Sequence, residues 1–556
     1  MLQKVLTFEL IYLLQMSNLN PQLLLSNGFY ENLHSSFING TNARGVYSPM
    51  QFTLRLRNDV QNEINSITPG FYSPNELSEN QTQAFSTYLH ETIHWWQHVG
   101  SNYGLISSLK YPAQSHINHS YLKSILTDIG PIKSIAKYDI QNPNSNLNIN
   151  KTLNYWHDID FANKIAFAPN NLKTITNNPY FESWGHSYQI MWGSSIWTLI
   201  STVDNNFSFL PNIREWEAEF EKLRKQKIKG FYHGSPNTIA PIGTKSIFEG
   251  QARFSQIQYL ARGKNYTVAD FEKLNMLEGI YVECFDLFLK ILGEKRPLNA
   301  VHPLIGLFLL VCDLSINPTN GFPFEIRNYE SFIISNDPGY RFILLCQQIR
   351  DHYSVLKIAI KDYSKEEYIT ISNILASSIE TRSPHESAGF ICRWLTSEQT
   401  IQDLLKEEET YRFKSENLPI RLFFSKFLRF QEDKYKYPHI FCWPGINLTE
   451  TGRNELQLAF DLFEKHKALF IDGIDGDIYH SAMKGYTDEQ VDSTLNGFFA
   501  WNSVYDLTRQ WIVEPGPFNF KYEWLSSKYS ADEMQNWAST NFEISFGIRP
   551  ENFKII

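Results

Sequence analysis

The sequence predicts a mainly α-helical protein with a small β-sheet, an α+β fold. Three observations carry that prediction: long stretches of helical periodicity, only two short strand-like runs, and a composition able to bury a large core. The last comes first. Of 556 residues, 42% are hydrophobic, 15% aromatic and 20% charged. Such a chain buries enough apolar surface to offset the entropy of ordering, which excludes intrinsic disorder. With 28 Gly and 24 Pro, collagen-like and linker-like chains are excluded as well.

Apolar residues recur at helical spacing over residues 78–99, 153–167, 188–203, 212–228, 246–262, 268–292 and 448–469. Strand-like alternation appears in QFTLRLR (51–57) and in NFEISFGI (541–548). No fixed-period repeat is present. The turn-rich stretch SINPTNGFPFEIRN (315–328) is the best candidate boundary. It divides the chain into residues 1–315, carrying the chemistry, and 316–556, a helical accessory region.

Charge and cysteine usage narrow the function further. The net charge of −9 supplies no global positive field for nucleic acid or an anionic membrane, so neither is expected as a partner. The basic run KLRKQKIK (222–229) follows an acidic one and reads as a solvated amphipathic helix. Five widely spaced cysteines form no C-x-x-C pair, which favours a reducing compartment and a cytoplasmic location over a disulfide framework. The opening MLQKVLTFELIYLLQM is interrupted by Glu9 and lacks a small-x-small cleavage site, so an ordinary helix is expected there rather than a secretion signal. The loop IDGIDGDIYH (471–480) does not match a calcium-loop spacing and reads as a turn.

One segment carries chemistry: AFSTYLHETIHWWQHVGS, residues 84–101. His90-Glu91-Thr92-Ile93-His94 is an H-E-x-x-H sequence inside a helical stretch. Four residues rotate a helix by about 400°, so His90 and His94 project from one face and can meet one metal ion. Glu91 lies about 100° around from His90, placed to hydrogen-bond a water rather than to ligate. An accidental match in a chain of this composition has a chance of about 3%. The alternative is a surface helix with incidental His and Glu. The motif resembles that of the zincin metallopeptidases, which implies a zincin-like core with large helical additions and a single catalytic Zn2+, with His90 and His94 as ligands and Glu91 as general base.

Two histidines leave such a site one protein ligand short. His98 is one turn too far along the helix to share an ion with His90 and reads as a supporting or structural residue. The EGQAR segment from Glu249 to Arg253 resembles the glutamate-bearing helix of gluzincins, which implies Glu249 as third ligand; the bland alternative is a helix-start carboxylate favoured by the macrodipole. The gap from His94, 249 − 94 = 155 residues, is longer than in compact thermolysin-like enzymes. Arg253 either orients Glu249 or forms an i,i+4 ion pair with it. Gln97 shares the His90/His94 stripe, as a cleft residue or a hydrogen-bonding support. His186 and His233 are candidate oxyanion donors, or ordinary loop histidines.

The resemblance covers two short segments and implies a zinc-dependent endopeptidase acting on a protein or peptide, with QFTLRLR as an edge strand for an extended substrate. A catalytically inactive zincin-fold scaffold is the second reading, and aromatic platforms for sugars a third. The sequence sets no oligomeric state.

Overall fold

In a computed structural model of the chain, residues 44–68, 74–449, 453–481 and 486–556 are described. The expectation for the opening 16 residues falls outside them. Helix makes up 66% of the structure and strand 4%, so the mainly helical expectation holds. No helix among the described residues is long and apolar enough to cross a membrane.

The central element is the helix Glu79–Val99, here the His90 helix. It starts where the sequence provides a capping box: Ser78 Oγ accepts from the Gln81 amide, and the Gln81 side chain accepts in return from the Ser78 amide. It stops at Gly100, where a Cβ would lie 2.3 Å from the Phe430 ring. Nearly every residue from Thr82 onward is buried, on all faces. A helix so enclosed sits at the core of the protein rather than on its surface.

Against it packs the Glu249 helix, Thr244–Lys264. Cross-contacts fix the two as antiparallel: Gln97 donates to the Phe248 carbonyl at 2.9 Å, and eleven residues earlier Ser86 accepts from Gln256 at 3.1 Å. Gly250, next to Glu249, turns its open side away from the His90 helix. A Cβ there would meet the Phe308 ring at 3.3 Å and Cys284 Cβ at 3.5 Å, so its small size serves the helices Ile280–Leu292 and Pro303–Ser315 instead.

The small sheet lies at the other flank of the His90 helix. β1 (Gly45–Ser48) pairs antiparallel with β2 (Thr53–Leu56). β3 (Ile132–Lys133) pairs separately with β6 (Lys554–Ile555). β4 (Phe470–Asp472) runs parallel to β2 and antiparallel to β5 (Ile478–His480), giving the order β1-β2-β4-β5. QFTLRLR therefore supplies an internal strand, because β2 is flanked on both sides, and the edge next to the His90 helix is β1.

NFEISFGI is not a strand. It ends the helix Ala531–Phe546, which opens on a Ser530/Glu533 capping box. Phe542 and Phe546, one turn apart, bury on Trp511, while Ile544 between them is 78% exposed. A period-two reading requires Ile544 to share their face; the helix sends it to solvent. The expected helix 268–292 is also two helices, Val268–Lys273 and Ile280–Leu292, broken where Asn275 and Gly279 adopt positive φ. The run 471–480 is the β4–β5 hairpin turn, and Asp477 there accepts from the Ser527 amide.

The stretch 315–328 does not behave as an exposed linker. Residues 315–323 are buried, and backbone carbonyls among them are taken up by Asn102, which donates to Pro318, and by Arg341, which donates to Asn317. One hydrophobic core runs across it. Trp96 of the His90 helix packs on Phe430 and Phe463 and donates to the His466 carbonyl at 2.8 Å, and Gln431 donates to the Gly100 carbonyl. Residues from both sides of position 316 thus clamp the same helix. The aromatic excess is spent here, with Trp95, Trp192, Trp216, Trp443 and Trp511 all buried.

Candidate metal centre

His90 and His94 leave the helix on one face with ring planes at 87° and Nε2 atoms 3.2 Å apart. Glu249, brought in by the antiparallel partner helix, places Oε2 3.4 Å from His90 Nε2 and 3.5 Å from His94 Nε2. Three donors about 2.1 Å from a tetrahedral centre stand about 3.4 Å apart. The three observed separations match that edge length, so the residues fit a divalent cation. Among the described residues no other group of three His, Cys, Asp or Glu side chains offers such a cluster. Side-chain exposure rises from 8% at His90 to 12% at His94 and 23% at Glu249, which puts the open side of the cluster toward the carboxylate.

The electrostatics follow from burial and proximity. Burial pushes His90 down to about 4, despite its hydrogen bond to Glu249. The same burial opposes charge on His94, but Glu249 and Glu91 outweigh it and lift His94 to about 9. Burial would raise Glu249 too, yet the two imidazoles hold its carboxyl well below the ordinary range. A carboxylate held charged beside two imidazoles is a donor set that suits a divalent cation.

His94 is oriented by a second layer. Its Nδ1 stands 2.8 Å from Gln97 Oε1, while Gln97 Nε2 donates to the Phe248 carbonyl and to Gln251 Oε1, each at 2.9 Å. The Phe248 carbonyl can only accept, which fixes the amide's orientation and makes His94 Nδ1 the donor. The Nε2 lone pair is then left for the cluster. His90 Nδ1 has no such partner among the described residues.

Glu91 is 7% exposed, and burial raises its carboxyl to about 7. It lies against β1: a Cβ on Gly45 would sit 2.3 Å from Glu91 Cγ and 2.8 Å from Oε1. Only a residue without a side chain lets β1 pass this close. Gly45→Ala is expected to cost about 1–3 kcal/mol by overpacking and to displace the Glu91 carboxylate. A thermal melt measures the first effect, and an unchanged melting temperature would contradict the contact.

The remaining candidates go elsewhere. His98 is buried between Tyr47 and Phe248, with ring centroids at 5.4 and 5.3 Å, and burial pushes it to about 3; it is a packing residue. His186 pairs with Asp158 at 3.4 Å, near Arg224, and His233 is exposed; neither has a recorded contact with the cluster. Arg253 does not ion-pair with Glu249. It stacks over the Tyr281 ring at 4.0 Å and donates to Gln256 at 2.7 Å. Tyr281, whose ring is 6.1 Å from that of His90, was not found from sequence. Its only signal is its place just after Gly279, at the start of a helix. Arg44 and Gly45 were missed in the same way, since nothing local marks them.

The chain matches no family model, no curated protein and no solved structure.

Proposed function

We propose that this protein is a zinc-dependent endopeptidase with His90, His94 and Glu249 as metal ligands and Glu91 as general base. The observation that carries the reading is the spacing of the three donor atoms, which matches the edges of a tetrahedron around one cation, with Glu91 one helical position from His90. When bound, a zinc ion supplies Lewis acidity that polarises a peptide carbonyl and activates water. Glu91 takes a proton from the attacking water and returns it to the leaving nitrogen. Its buried setting, between the His90 helix and β1, excludes competing solvent from that transfer. β1 lies at the end of the sheet beside Glu91, and an extended substrate adding to that edge would receive main-chain hydrogen bonds there. Five free thiols fit work in a reducing compartment, hence a cytoplasmic protein or peptide substrate.

Gln97 tests the ligand geometry without touching the cation. Gln97→Leu removes the acceptor at His94 Nδ1 and is expected to weaken zinc binding about 10–100-fold while the fold persists. Competition titration against a chelating dye measures it; equal affinity would show that Gln97 orients nothing. The function itself is tested by metal analysis of the purified protein combined with mapping of new N-termini after it is added to a cell extract. Absence of stoichiometric zinc, or of new termini that depend on Glu91, would overturn the reading.

A further inference from the structure

Arg253 is the most unusual side chain beside the cluster. It is 5% exposed, yet no carboxylate lies within ion-pairing distance of it among the described residues, and its Nε is buried without a hydrogen-bond partner. Its recorded protein contacts are one hydrogen bond, to the neutral Gln256, and the face of Tyr281. A buried guanidinium ordinarily carries a carboxylate or phosphate partner, because desolvating an unpaired charge is unfavourable. The helix places Arg253 one turn beyond Glu249, level with His90 on the antiparallel neighbour, and its charge acts on both His90 and Glu91. Arg44, the buried residue preceding β1 Gly45, brings a second guanidinium near enough to repel that of Arg253, with Asp59 offsetting part of the charge on Arg44. Asp59 is itself engaged by Arg57 in a bidentate pair. Once Glu249 ligates a dication and Glu91 serves the water, no nearby carboxylate among the described residues is left to answer Arg253.

We propose that Arg253, seated on Tyr281, receives a carboxylate of the substrate next to the scissile bond, so that the enzyme selects acidic peptides or free chain termini. The inference rests on the zinc reading above. An acidic side chain and a terminal carboxylate present the same planar pair of oxygens, which a guanidinium binds through two parallel N–H donors. Arg253 is therefore a specificity residue, and its role shows in binding as well as in turnover.

Calorimetry on the zinc-loaded protein decides the question without catalysis. The probes are monohydroxamates of succinic, glutaric and adipic acid, each compared with the analogue whose free carboxylate is a carboxamide, and acetohydroxamate as the charge-free reference. The wild type should bind at least one carboxylate probe about tenfold more tightly than its carboxamide. Arg253→Gln should bring that ratio to within about twofold and leave acetohydroxamate unaffected, and Arg253→Lys should keep part of the preference. Equal binding of every acid and amide pair by the wild type overturns the proposal even if no variant folds, and so does a preference that survives Arg253→Gln. Failure of zinc or acetohydroxamate to bind the wild type is a separate outcome, which removes the zinc reading and the inference with it. The carboxylate source is read with zinc-loaded Glu91→Gln and two blocked peptides, one with an internal Glu and an amidated end, the other with Gln and a free end. The tighter of the two identifies the source, and binding of neither above the Gln, amidated control counts against the proposal.

Discussion

Glu91→Gln is expected to keep its zinc and lose almost all turnover, by a factor of about 10²–10⁴ in kcat. Glutamine matches glutamate in shape, so the contact with Gly45 survives and the buried pocket stays filled. What disappears is the carboxylate beside His90 that is not placed to ligate. A neutral amide cannot accept the proton of an attacking water, and the loss falls on kcat rather than on metal affinity. The change even removes the cost of burying a charge, so the melting temperature should hold or rise. Rate measurement with parallel metal analysis is the check. If the variant is as active as the wild type, Glu91 is not the base. If neither form cleaves anything while both hold zinc, the protein is the inactive zincin-fold scaffold of the second reading.

Glu249→Ala should act on the other quantity. It removes one of three donors and the only anionic one, leaving two neutral imidazoles 3.2 Å apart to hold the cation alone. Zinc affinity should fall by more than about 100-fold, beyond what loss of an outer-layer partner costs, and activity at limiting zinc should fall with it. Glu249→Asp is the companion variant, because a shortened carboxylate keeps the charge but cannot span the same gap. Competition titration reads both. Wild-type affinity in Glu249→Ala would remove the third ligand from the site. The pair Glu91→Gln and Glu249→Ala therefore separates a base from a ligand by which observable each one moves.

The likeness of these two glutamates to each other in composition hides how differently they could be read. Glu91 is legible because its partners are local: the H-E-x-x-H spacing alone sets the angles between His90, Glu91 and His94 on a helix. Glu249 was reached only through a resemblance of five residues, and its place opposite His94 depends on how Thr244–Lys264 packs. Gln97 was legible as a residue on the right stripe, but its bonds to His94, the Phe248 carbonyl and Gln251 required the neighbouring helix. Arg253 was read as a partner for Glu249, since i,i+4 spacing permits that, and the structure gives it to Tyr281 instead.

Errors in the fold have the same origin. QFTLRLR does form a strand, but its place inside the sheet is set by β4, more than 400 residues away. NFEISFGI alternates in sequence and still folds as a helix, because the Ser530 cap and the Trp511 surface favour a helix over a period of two. The turn-rich stretch at 315–328 reads as a candidate boundary by composition, and in the fold Asn102 and Arg341 take up its Pro318 and Asn317 carbonyls.

Local spacing and composition determined three things: a mostly helical chain, one helix bearing two imidazoles and a carboxylate in fixed rotation, and a net charge of −9. Those depend on rotation per residue and on summed charge, which neighbours along the chain settle. Tertiary structure decided which carboxylate meets the imidazoles, which strand lies beside Glu91, and which guanidinium stacks on Tyr281. Each of those is a distance across the fold, and a distance between residues 155 positions apart is set by packing, not by sequence interval.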